Sequence, residues 1–505
     1  MIRPFFPAAN GPRGIFRKEI TRGGAGIYMD WKRVCAMFIH VVKAGDSVWR
    51  IADLYHVPPE PIIEANGLTD PDVLVVGEAL VIPMEDAVHI VQPGETLWSI
   101  ARQYGLSVQD LLQNNSISNP DSVYPGQAIY IPVLRHRVEP GDTLWQIARR
   151  YGISEQDLAR VNGISDPKNL PTGTVLIIPG KSRPAIGVNG YLDVFGQSAV
   201  PTVRRYGGYL TYLTPFAYLI KEDASLQPID DGPALQAAKE IGAVPMMAIT
   251  NFTSTSRGEN LASALLNDQT LVEKLLDNAL AVMRQKGYRG LNVDFENVLP
   301  ADREAYSRFL ERVAERLHAE GFFLSTALAP KTGPEQTGLL YEAHDYPAHG
   351  RIADFVVLMT YEWGYRKGPP QAISPIDQIR RVLDYAVSVI PRGKIYLGFQ
   401  IYARDWVLPH EEGQEAETFS PQEAVARAAR YGAEIQYDAK TESPFFRYTD
   451  GNGVEHEVWF EDARSAQAKF NTAKEYGLAG ISYWTISPTF PQNWVLLEDN
   501  FIVKR

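Results

Sequence analysis

Two carboxylates stand two residues apart in a segment of alternating apolar and polar residues that begins at Gly290. The segment reads Gly-Leu-Asn-Val-Asp-Phe-Glu-Asn, and strand side chains alternate between two faces, so Asn292, Asp294 and Glu296 are expected to share one face. Repulsion between two neighbouring carboxylates raises the pKa of one of them, which keeps a general acid protonated near neutral pH. The alternative is a structural ionic cluster. Carboxylates that point into a barrel need strong compensation, however, and this favours a functional site.

The elements around this segment predict where the acid pair lies. From residue 186 to residue 505, short apolar runs alternate with amphipathic helices, a pattern typical of parallel βα units. This length suits a (β/α)8 barrel with an insertion, so the predicted fold class is α/β with a TIM barrel. The eight predicted strands are Ile186–Val194, Tyr212–Ile220, Val244–Thr250, Gly290–Phe295, Phe322–Ala327, Asp354–Met359, Lys394–Gln400 and Gly480–Tyr483. Glu296 follows the fourth of them, at the carboxyl-terminal mouth where barrel enzymes hold their catalytic residues.

Four amphipathic helices are predicted between these strands, and one connection is longer than the others. The helices are Leu271–Lys286, Arg303–Ala319, Ile376–Ser388 and Arg464–Tyr476. The long connection, about residues 405–461, contains the β-type segments Glu434–Tyr437, Phe445–Tyr448 and Glu457–Phe460 and a turn at residues 450–453. It therefore predicts a small β-rich insertion that contains a hairpin.

Three similar segments precede the barrel, and repeats of this kind indicate small independent units. They run from His40 to Trp49, from His89 to Trp98 and from His136 to Trp145, and they match position by position. Each continues with two short helical runs, a glycine turn and an apolar strand ending in proline, which predicts three βααβ modules at residues 40–84, 89–133 and 136–180. An acidic residue followed by Ser or Thr stands in each where a helix N-cap is expected. The three tryptophans, with Ile and Leu pairs, are expected to supply most of each small core.

Residues 1–39 form a basic leader with no helical or strand period. This predicts either a disordered tail or a translation start at Met37, which we favour. The leader lacks the apolar run of about 7–15 residues that a secretory signal requires. Cys35 is the only cysteine in the chain, so no intramolecular disulfide can form. The net charge of −11 argues against nucleic acid as the main partner, and no apolar stretch approaches the ~20 residues of a membrane span.

The triple repeat resembles the LysM (lysin motif) module, which binds N-acetylglucosamine-containing glycans such as peptidoglycan and chitin. The resemblance implies that a sugar lies between the first helix of each module and the loop before its last strand. The implied contacts are Gly45, Asp46 and Ser47 in the first module, Gly94, Glu95 and Thr96 in the second, and Gly141, Asp142 and Thr143 in the third. Because tandem weak sites add through avidity, the array is expected to bind glycan.

The fourth predicted barrel strand resembles the Asp-x-x-Asp-x-Asp-x-Glu signature of family 18 glycoside hydrolases. The Glu and the last Asp of that signature fall on Glu296 and Asp294, whereas its two earlier Asp positions fall on Asn292 and Arg289. These departures weaken a general chitinase assignment and leave the acid and its neighbour in place.

Two further segments resemble strands of the same family. The segment Met359-Thr-Tyr-Glu resembles the sixth strand, whose Tyr contacts the acetamido group of the substrate, and the segment from Gly480 to Trp484 resembles the last strand, whose Trp forms the floor of the central sugar subsite. The resemblance implies catalytic roles for Glu296, Asp294 and Tyr361 and substrate contacts for Trp484, Asn292 and Glu362.

LysM modules ahead of such a barrel resemble the spore cortex-fragment-lytic N-acetylglucosaminidases of spore-forming bacteria. The resemblance implies a β-N-acetylglucosaminidase that acts on spore cortex peptidoglycan by substrate-assisted retaining catalysis, with no cofactor and no metal. It implies a spore-associated protein at the boundary of coat and cortex, without a signal peptide, or else a protein of the cell wall. Two alternatives stay open: a chitinase or endo-β-N-acetylglucosaminidase on other N-acetylglucosamine glycans, and a catalytically silent glycan-binding protein.

Overall fold

The structure is a computed structural model of the full chain. It describes residues 36–505 apart from residues 56, 85–86, 92–93, 105–106, 116, 118, 121–122, 126, 132–133, 152, 179–182 and 253–255. Of the leader predicted over residues 1–39, residues 1–35 lie outside the described residues. Residues 36–39 belong to the first strand of the first module, where Phe38 is buried in the core. The ordered module therefore begins before His40.

Each of the three repeats folds as a βααβ unit in which the two strands pair antiparallel. The first module consists of Ala36–Val41, Val48–Tyr55, Pro59–Asn66 and Ala79–Met84. The second consists of Ala87–Ile90, Leu97–Tyr104, Val108–Asn115 and Ala128–Ile131. The third consists of Leu134–Arg137, Leu144–Arg150, Glu155–Val161 and Val175–Ile178. Each unit has its own small apolar core.

The three module tryptophans do not form those cores, so the assignment of these residues to the core was wrong. Trp49, Trp98 and Trp145 are 53%, 69% and 51% exposed. Core positions on a helix recur three and four residues apart, and in the first module Val48, Ile51 and Ala52 occupy them. The tryptophan directly follows the first of these positions, so its side chain points away from the core.

The acidic residue before each first helix was expected near an N-cap, and the hydroxyl residue after it is the one that caps. In the third module the backbone N–H of Gln146 donates to Oγ1 of Thr143 at 3.1 Å. The carboxylate of Asp142 instead accepts from Nε2 of His136 at 2.8 Å and from the backbone N–H of Glu139 at 2.9 Å. The opening histidine of the repeat therefore fixes the turn before the helix.

Residues 185–505 form a closed barrel of eight parallel strands, which confirms the predicted fold class. The strands are Ala185–Leu192, Tyr212–Pro215, Val244–Thr250, Gly290–Asp294, Phe323–Leu328, Phe355–Leu358, Ile395–Gln400 and Gly480–Trp484. The eighth strand pairs with the first, Gly480 standing opposite Gly187, and this pairing closes the barrel. Two short strands, Tyr218–Leu219 and Ile502–Val503, add to the third and first strands.

Helices cover the outside of the barrel. They are Ala199–Tyr206, Gly232–Ile241, Glu259–Leu266, Gln269–Lys286, Arg303–His318, Tyr346–Ile352, Ile376–Val389, Ala463–Glu475 and Pro491–Asn500. Four short 3-10 turns are Gly196–Ser198, Gly207–Tyr209, Pro300–Asp302 and Arg392–Lys394. The four predicted helices lie within one or two residues of observed ones.

The predicted insertion is a five-stranded antiparallel sheet with one helix. Its strands, in spatial order, are Glu417–Phe419, Ala403–Leu408, Glu455–Trp459, Ser443–Thr449 and Gln436–Asp438, and its helix is Pro421–Tyr431. The hairpin predicted at residues 450–453 joins two of these strands. The helix and the strands at residues 403–408 and 417–419 were not predicted.

The inside of the barrel changes from apolar to polar along its axis. At the amino-terminal end of the strands, the rings of Phe355 and Tyr396 stack with centroids 4.3 Å apart. Tyr396 fits there because Gly480 has no side chain, since a Cβ at that position would lie 2.2 Å from its ring. Nearer the carboxyl ends, Asn189 donates to Ser482 Oγ at 2.9 Å, and side chains of this polar kind lead to the mouth.

Candidate active site

The fourth barrel strand carries the acid pair with the predicted alternation. Leu291 and Val293 are fully buried on the outer face, and the ring of Phe295 stacks at 5.4 Å on Phe309 of the covering helix. The outward direction of these side chains turns Asp294 toward the barrel axis. Glu296 lies just beyond the strand end and is partly buried.

Burial sets the protonation of both carboxyl groups. Burial, reinforced by the nearby Glu296, raises the pKa of Asp294 well above its ordinary value. One oxygen of Asp294, Oδ1, has no hydrogen-bond partner among the described residues. Burial and the negative charge of Glu362 raise the pKa of Glu296 to about 7. A carboxyl group with this pKa can give up and regain a proton near neutral pH, as a general acid and base must.

Glu362 owes its position to the insertion. It follows the sixth strand in a left-handed backbone conformation (φ 70°). Arg404, itself 5% exposed, binds both oxygens of Glu362 at 2.8 and 2.9 Å, and the Tyr402 hydroxyl also donates to the carboxylate. This ion pair holds the charge that acts on Glu296.

Two tyrosine hydroxyls and an amide surround the acid pair: Tyr191 lies on the first strand, Tyr361 follows the sixth, and Asn292 lies on the fourth strand itself. Tyr361 is 8% exposed, and burial, with Tyr191 and Asp294 nearby, raises its pKa well above the ordinary value. It therefore stays a neutral hydroxyl that can donate a hydrogen bond. The Tyr191 hydroxyl donates to Asn292 Oδ1 at 2.9 Å, and Asn292 donates to Ser325 Oγ at 3.1 Å, which fixes the orientation of that amide.

Trp484 closes the mouth at the end of the eighth strand. The ring of Phe216 meets it edge-on at 4.6 Å, and the ring of Tyr191 lies 5.5 Å away. The side chain remains partly exposed. An aromatic ring held by its neighbours with an accessible surface suits stacking on the flat face of a sugar.

Asn251 is a site residue that sequence reasoning missed. It directly follows the third strand and is 2% exposed. Its Oδ1 accepts from the backbone N–H of Glu296 at 3.0 Å, and its Nδ2 donates to the backbone carbonyl of Glu296 at 2.8 Å. Both backbone groups of Glu296 are thus held by one side chain on the adjacent strand.

His344 holds the backbone of Phe295, the residue before Glu296, in a similar way, and sequence reasoning also missed it. Its Nδ1 accepts from the backbone N–H of Ala329 at 2.8 Å, and its Nε2 donates to the carbonyl of Phe295 at 3.0 Å. Burial lowers its pKa to about 4, so it is neutral in this bridge. Neither Asn251 nor His344 belongs to a local motif, so their bonds to the acid segment become evident only once the strands are side by side.

The six residues predicted in the barrel come together at one mouth. They are Asn292, Asp294, Glu296, Tyr361, Glu362 and Trp484, which lie on or just after the fourth, sixth and eighth strands. Among the described residues, no group of three or more His, Cys, Asp or Glu side chains is arranged to hold a metal ion.

The nine predicted module residues lie around one turn in each module. Gly45, Gly94 and Gly141 all adopt φ near 90°, which favours glycine. Asp46 pairs with His40 at 3.0 Å as Asp142 pairs with His136, while Ser47, Thr96 and Thr143 each accept a backbone hydrogen bond at the start of the following helix. Glu95 stands at the equivalent place in the second module.

Comparison with known proteins decides the family. The family model described as glycosyl hydrolases family 18 matches residues 222–488, more than half of the chain. The chain belongs to glycosyl hydrolase family 18. The LysM domain model matches residues 40–83, 89–132 and 136–179.

Relatives of this family member cover most of its length. It is 46% identical over 327 residues to a protein of Bacillus subtilis (strain 168) named cortical fragment-lytic enzyme, covering 63% of this chain and 75% of that protein. The crystal structure of the Bacillus cereus spore cortex-lytic enzyme SleL matches with a TM-score of 0.78 at 38% identity, covering 93% of this chain and 99% of that chain. The Bacillus megaterium QM B1551 spore cortex-lytic enzyme SleL matches with a TM-score of 0.74 at 37% identity over 93% and 99% of the two chains.

The family 18 chain is a glycoside hydrolase. Its barrel and its three LysM modules both indicate binding of N-acetylglucosamine-containing glycans such as peptidoglycan. In the described part of the chain, no helix has the length and apolar character needed to span a membrane.

Proposed function

We propose that this glycoside hydrolase is a β-N-acetylglucosaminidase that cleaves spore cortex peptidoglycan or its fragments. The observation that carries the proposal is the acid pair itself, in which Glu296 has a pKa of about 7 and Asp294 lies beside it at the barrel mouth. The names of the relatives, cortical fragment-lytic and spore cortex-lytic enzymes, support the choice of substrate.

Cleavage begins with proton transfer from the Glu296 carboxyl to the glycosidic oxygen. The carbonyl oxygen of the substrate's own 2-acetamido group attacks the anomeric carbon, so that an oxazolinium ion forms and no enzyme carboxylate is the nucleophile. The positive charge of the oxazolinium favours the ionised form of Asp294, whose pKa is raised in the free site. The Asp294 carboxylate accepts a hydrogen bond from the acetamido N–H and balances that charge, while Tyr361 donates to the acetamido oxygen. Glu296 then takes a proton from water, which opens the oxazolinium and gives retention of configuration.

The remaining mouth residues orient the sugar. Trp484 offers its ring as the floor of the sugar site, Glu362 accepts from sugar hydroxyls, and Asn292 fixes the Tyr191 hydroxyl in the polar wall. The LysM turns around Asp46, Glu95 and Asp142 bind glycan strands and keep the barrel on insoluble peptidoglycan by avidity. A protein with these substrates acts at the boundary of spore coat and cortex.

Product analysis tests the proposal. Purified enzyme incubated with soluble cortex fragments should release products with N-acetylglucosamine at the new reducing end, detected by mass spectrometry. Fragments whose acetamido groups are replaced by hydroxyls should not be cleaved, because the nucleophile is missing. Faster cleavage of chitin oligomers than of cortex fragments would favour a chitinase, and no cleavage of either would favour a silent glycan-binding protein.

A further inference from the structure

The first LysM module is joined to the catalytic part of the chain through its last loop. We call residues 183–505, the barrel with its insertion, the catalytic body. The backbone N–H of Ile435, in the insertion, donates to the carbonyl of Val76 at 2.9 Å. Arg464, at the start of a barrel helix, donates to the carbonyl of Gly77 at 3.1 Å. Two backbone carbonyls of the module are therefore satisfied by the catalytic body.

A second set of contacts involves the end of the module's second helix. Nε2 of Gln492 donates to Asn66 Oδ1 and to the carbonyl of Ala79, both at 2.8 Å. Nε2 of Gln422 donates to the carbonyl of Gly67 at 3.0 Å. The two glutamines come from a barrel helix and from the insertion helix, so the module contacts both parts of the catalytic body.

Apolar packing and burial accompany these hydrogen bonds. Val75 is 6% exposed and shares one core with Ile435, Phe446 and Ala403 of the insertion. Glu78, 5% exposed, has its pKa raised to about 7 by burial and by the charge of Asp462 across the contact. A loop whose apolar and acidic side chains are both buried in this way is part of a packed interior.

The third module provides an internal comparison because its equivalent loop is open. Pro171 and Thr172, which correspond to Val75 and Val76, are exposed. A Cβ at Gly77 would lie 1.8 Å from the carbonyl oxygen of Ile435, whereas at Gly173 the nearest neighbour would be 3.9 Å away. The close approach in the first module is thus absent from the third.

The docked loop is continuous with one wall of the active site. Ala403, which packs in the same core as Val75, lies between Tyr402 and Arg404 in the chain. Those two side chains hold Glu362 beside Glu296. Packing therefore leads from the module, through the insertion, to the charged groups of the mouth.

We propose that the first LysM module is a structural support of the active site, which holds the Tyr402–Arg404 segment and, through it, Glu362 in place. This role rests on the proposed function and extends it, since the module serves turnover and not wall binding alone. Loss of docking then lowers turnover even of soluble substrates, for which anchoring to an insoluble wall brings no advantage.

Two matched substitutions in the full chain test this support. Gly77→Ala and Gly173→Ala place a methyl group at equivalent turns with φ of 85° and 87°, so the backbone strain is the same. Only the first meets the Ile435 carbonyl. On soluble cortex fragments, Gly77→Ala should lower kcat by roughly tenfold with KM little changed, because a small displacement of positioned groups is costly to catalysis. It should also lower the melting temperature of the catalytic body, while Gly173→Ala should keep the parent kcat.

Equal kcat values for Gly77→Ala and Gly173→Ala would overturn the support role. If Gly77→Ala does not fold, Gln492→Ala decides, since it removes two hydrogen bonds at the same contact without a clash. A lowered kcat in that variant supports the proposal, and a parent-level kcat overturns it. Failure of the proposed function looks different, because the parent chain itself would then release no sugar from the fragments, and the support role would fall with it.

Discussion

The protonation of Glu296 is set by residues from several strands. Burial favours the neutral form of its carboxyl group, and Glu362 adds a negative charge that Arg404 and Tyr402 hold in place. Asn251 fixes its backbone from the adjacent strand. The acid is therefore tuned by charge and held by hydrogen bonds, and the two effects can be tested separately.

The raised pKa of Glu296, to which the charge of Glu362 contributes, should set the pH dependence of turnover. Glu296 must be protonated to act as acid, so kcat/KM on soluble cortex fragments should fall by about tenfold per pH unit above a pKa of about 7. Glu362→Gln removes the negative charge that helps to raise this pKa. The alkaline limb of the plot of kcat/KM against pH should therefore move to lower pH. Glu311→Gln, in an exposed ion pair with Arg351 on an outer helix, is the control and should leave the limb in place. An unmoved limb in Glu362→Gln would show that its charge does not act on the acid.

Replacement of Asn251 should lower turnover, although its side chain acts on the backbone of Glu296 and not on the substrate. Asn251→Ala frees both backbone groups of Glu296, so kcat should fall by roughly tenfold to a hundredfold while KM changes little. Asn500→Ala is a matched control because Asn500 is also buried and also donates from Nδ2 to a backbone carbonyl, on the last helix. Both variants should lose stability, but only Asn251→Ala should lose kcat. Equal kcat in the two variants would reduce Asn251 to a structural residue.

At the scale of elements, the barrel strands were predictable because each is a short apolar run between polar turns. The acid pair was predictable because alternation along one strand is a local property. Four other site residues were not predictable, because their partners are distant in the chain: Tyr402, Arg404, Asn251 and His344. The separation is 40 or more residues for the first three and 15 or more for His344. The prediction that the module tryptophans form the core was wrong because it rested on their bulk and not on their position. Helical spacing places Val48 and Ile51 in the core of the first module.

The close approach of two strand glycines to Tyr396 predicts a stability effect. Gly480→Ala would place a methyl 2.2 Å from that ring, so the barrel end must repack at a cost of about 1–3 kcal/mol. Gly393→Ala, where a Cβ would meet nothing within 4 Å, should cost less than about 0.5 kcal/mol. Chemical denaturation of both variants against the parent measures the difference. Similar midpoints would contradict tight packing at the amino-terminal end of the barrel.

At the scale of the whole molecule, glycan binding and bond cleavage belong to different parts of one chain. The modules present exposed tryptophans, and the barrel holds the acid in a mouth built from three strands and an insertion. A change confined to the proton of Glu296 should therefore separate the two activities.

The most direct test is Glu296→Gln in the full chain, with cosedimentation on insoluble cortex peptidoglycan and release of reducing sugar from soluble fragments measured side by side. Glutamine matches the shape of glutamate but cannot protonate the leaving oxygen, so turnover should fall by about 10²–10⁴-fold. Cosedimentation and the melting temperature should stay at the parent level, because the modules and the barrel packing are untouched. Release of sugar at the parent rate by Glu296→Gln would contradict the assignment of the fourth strand as the active site.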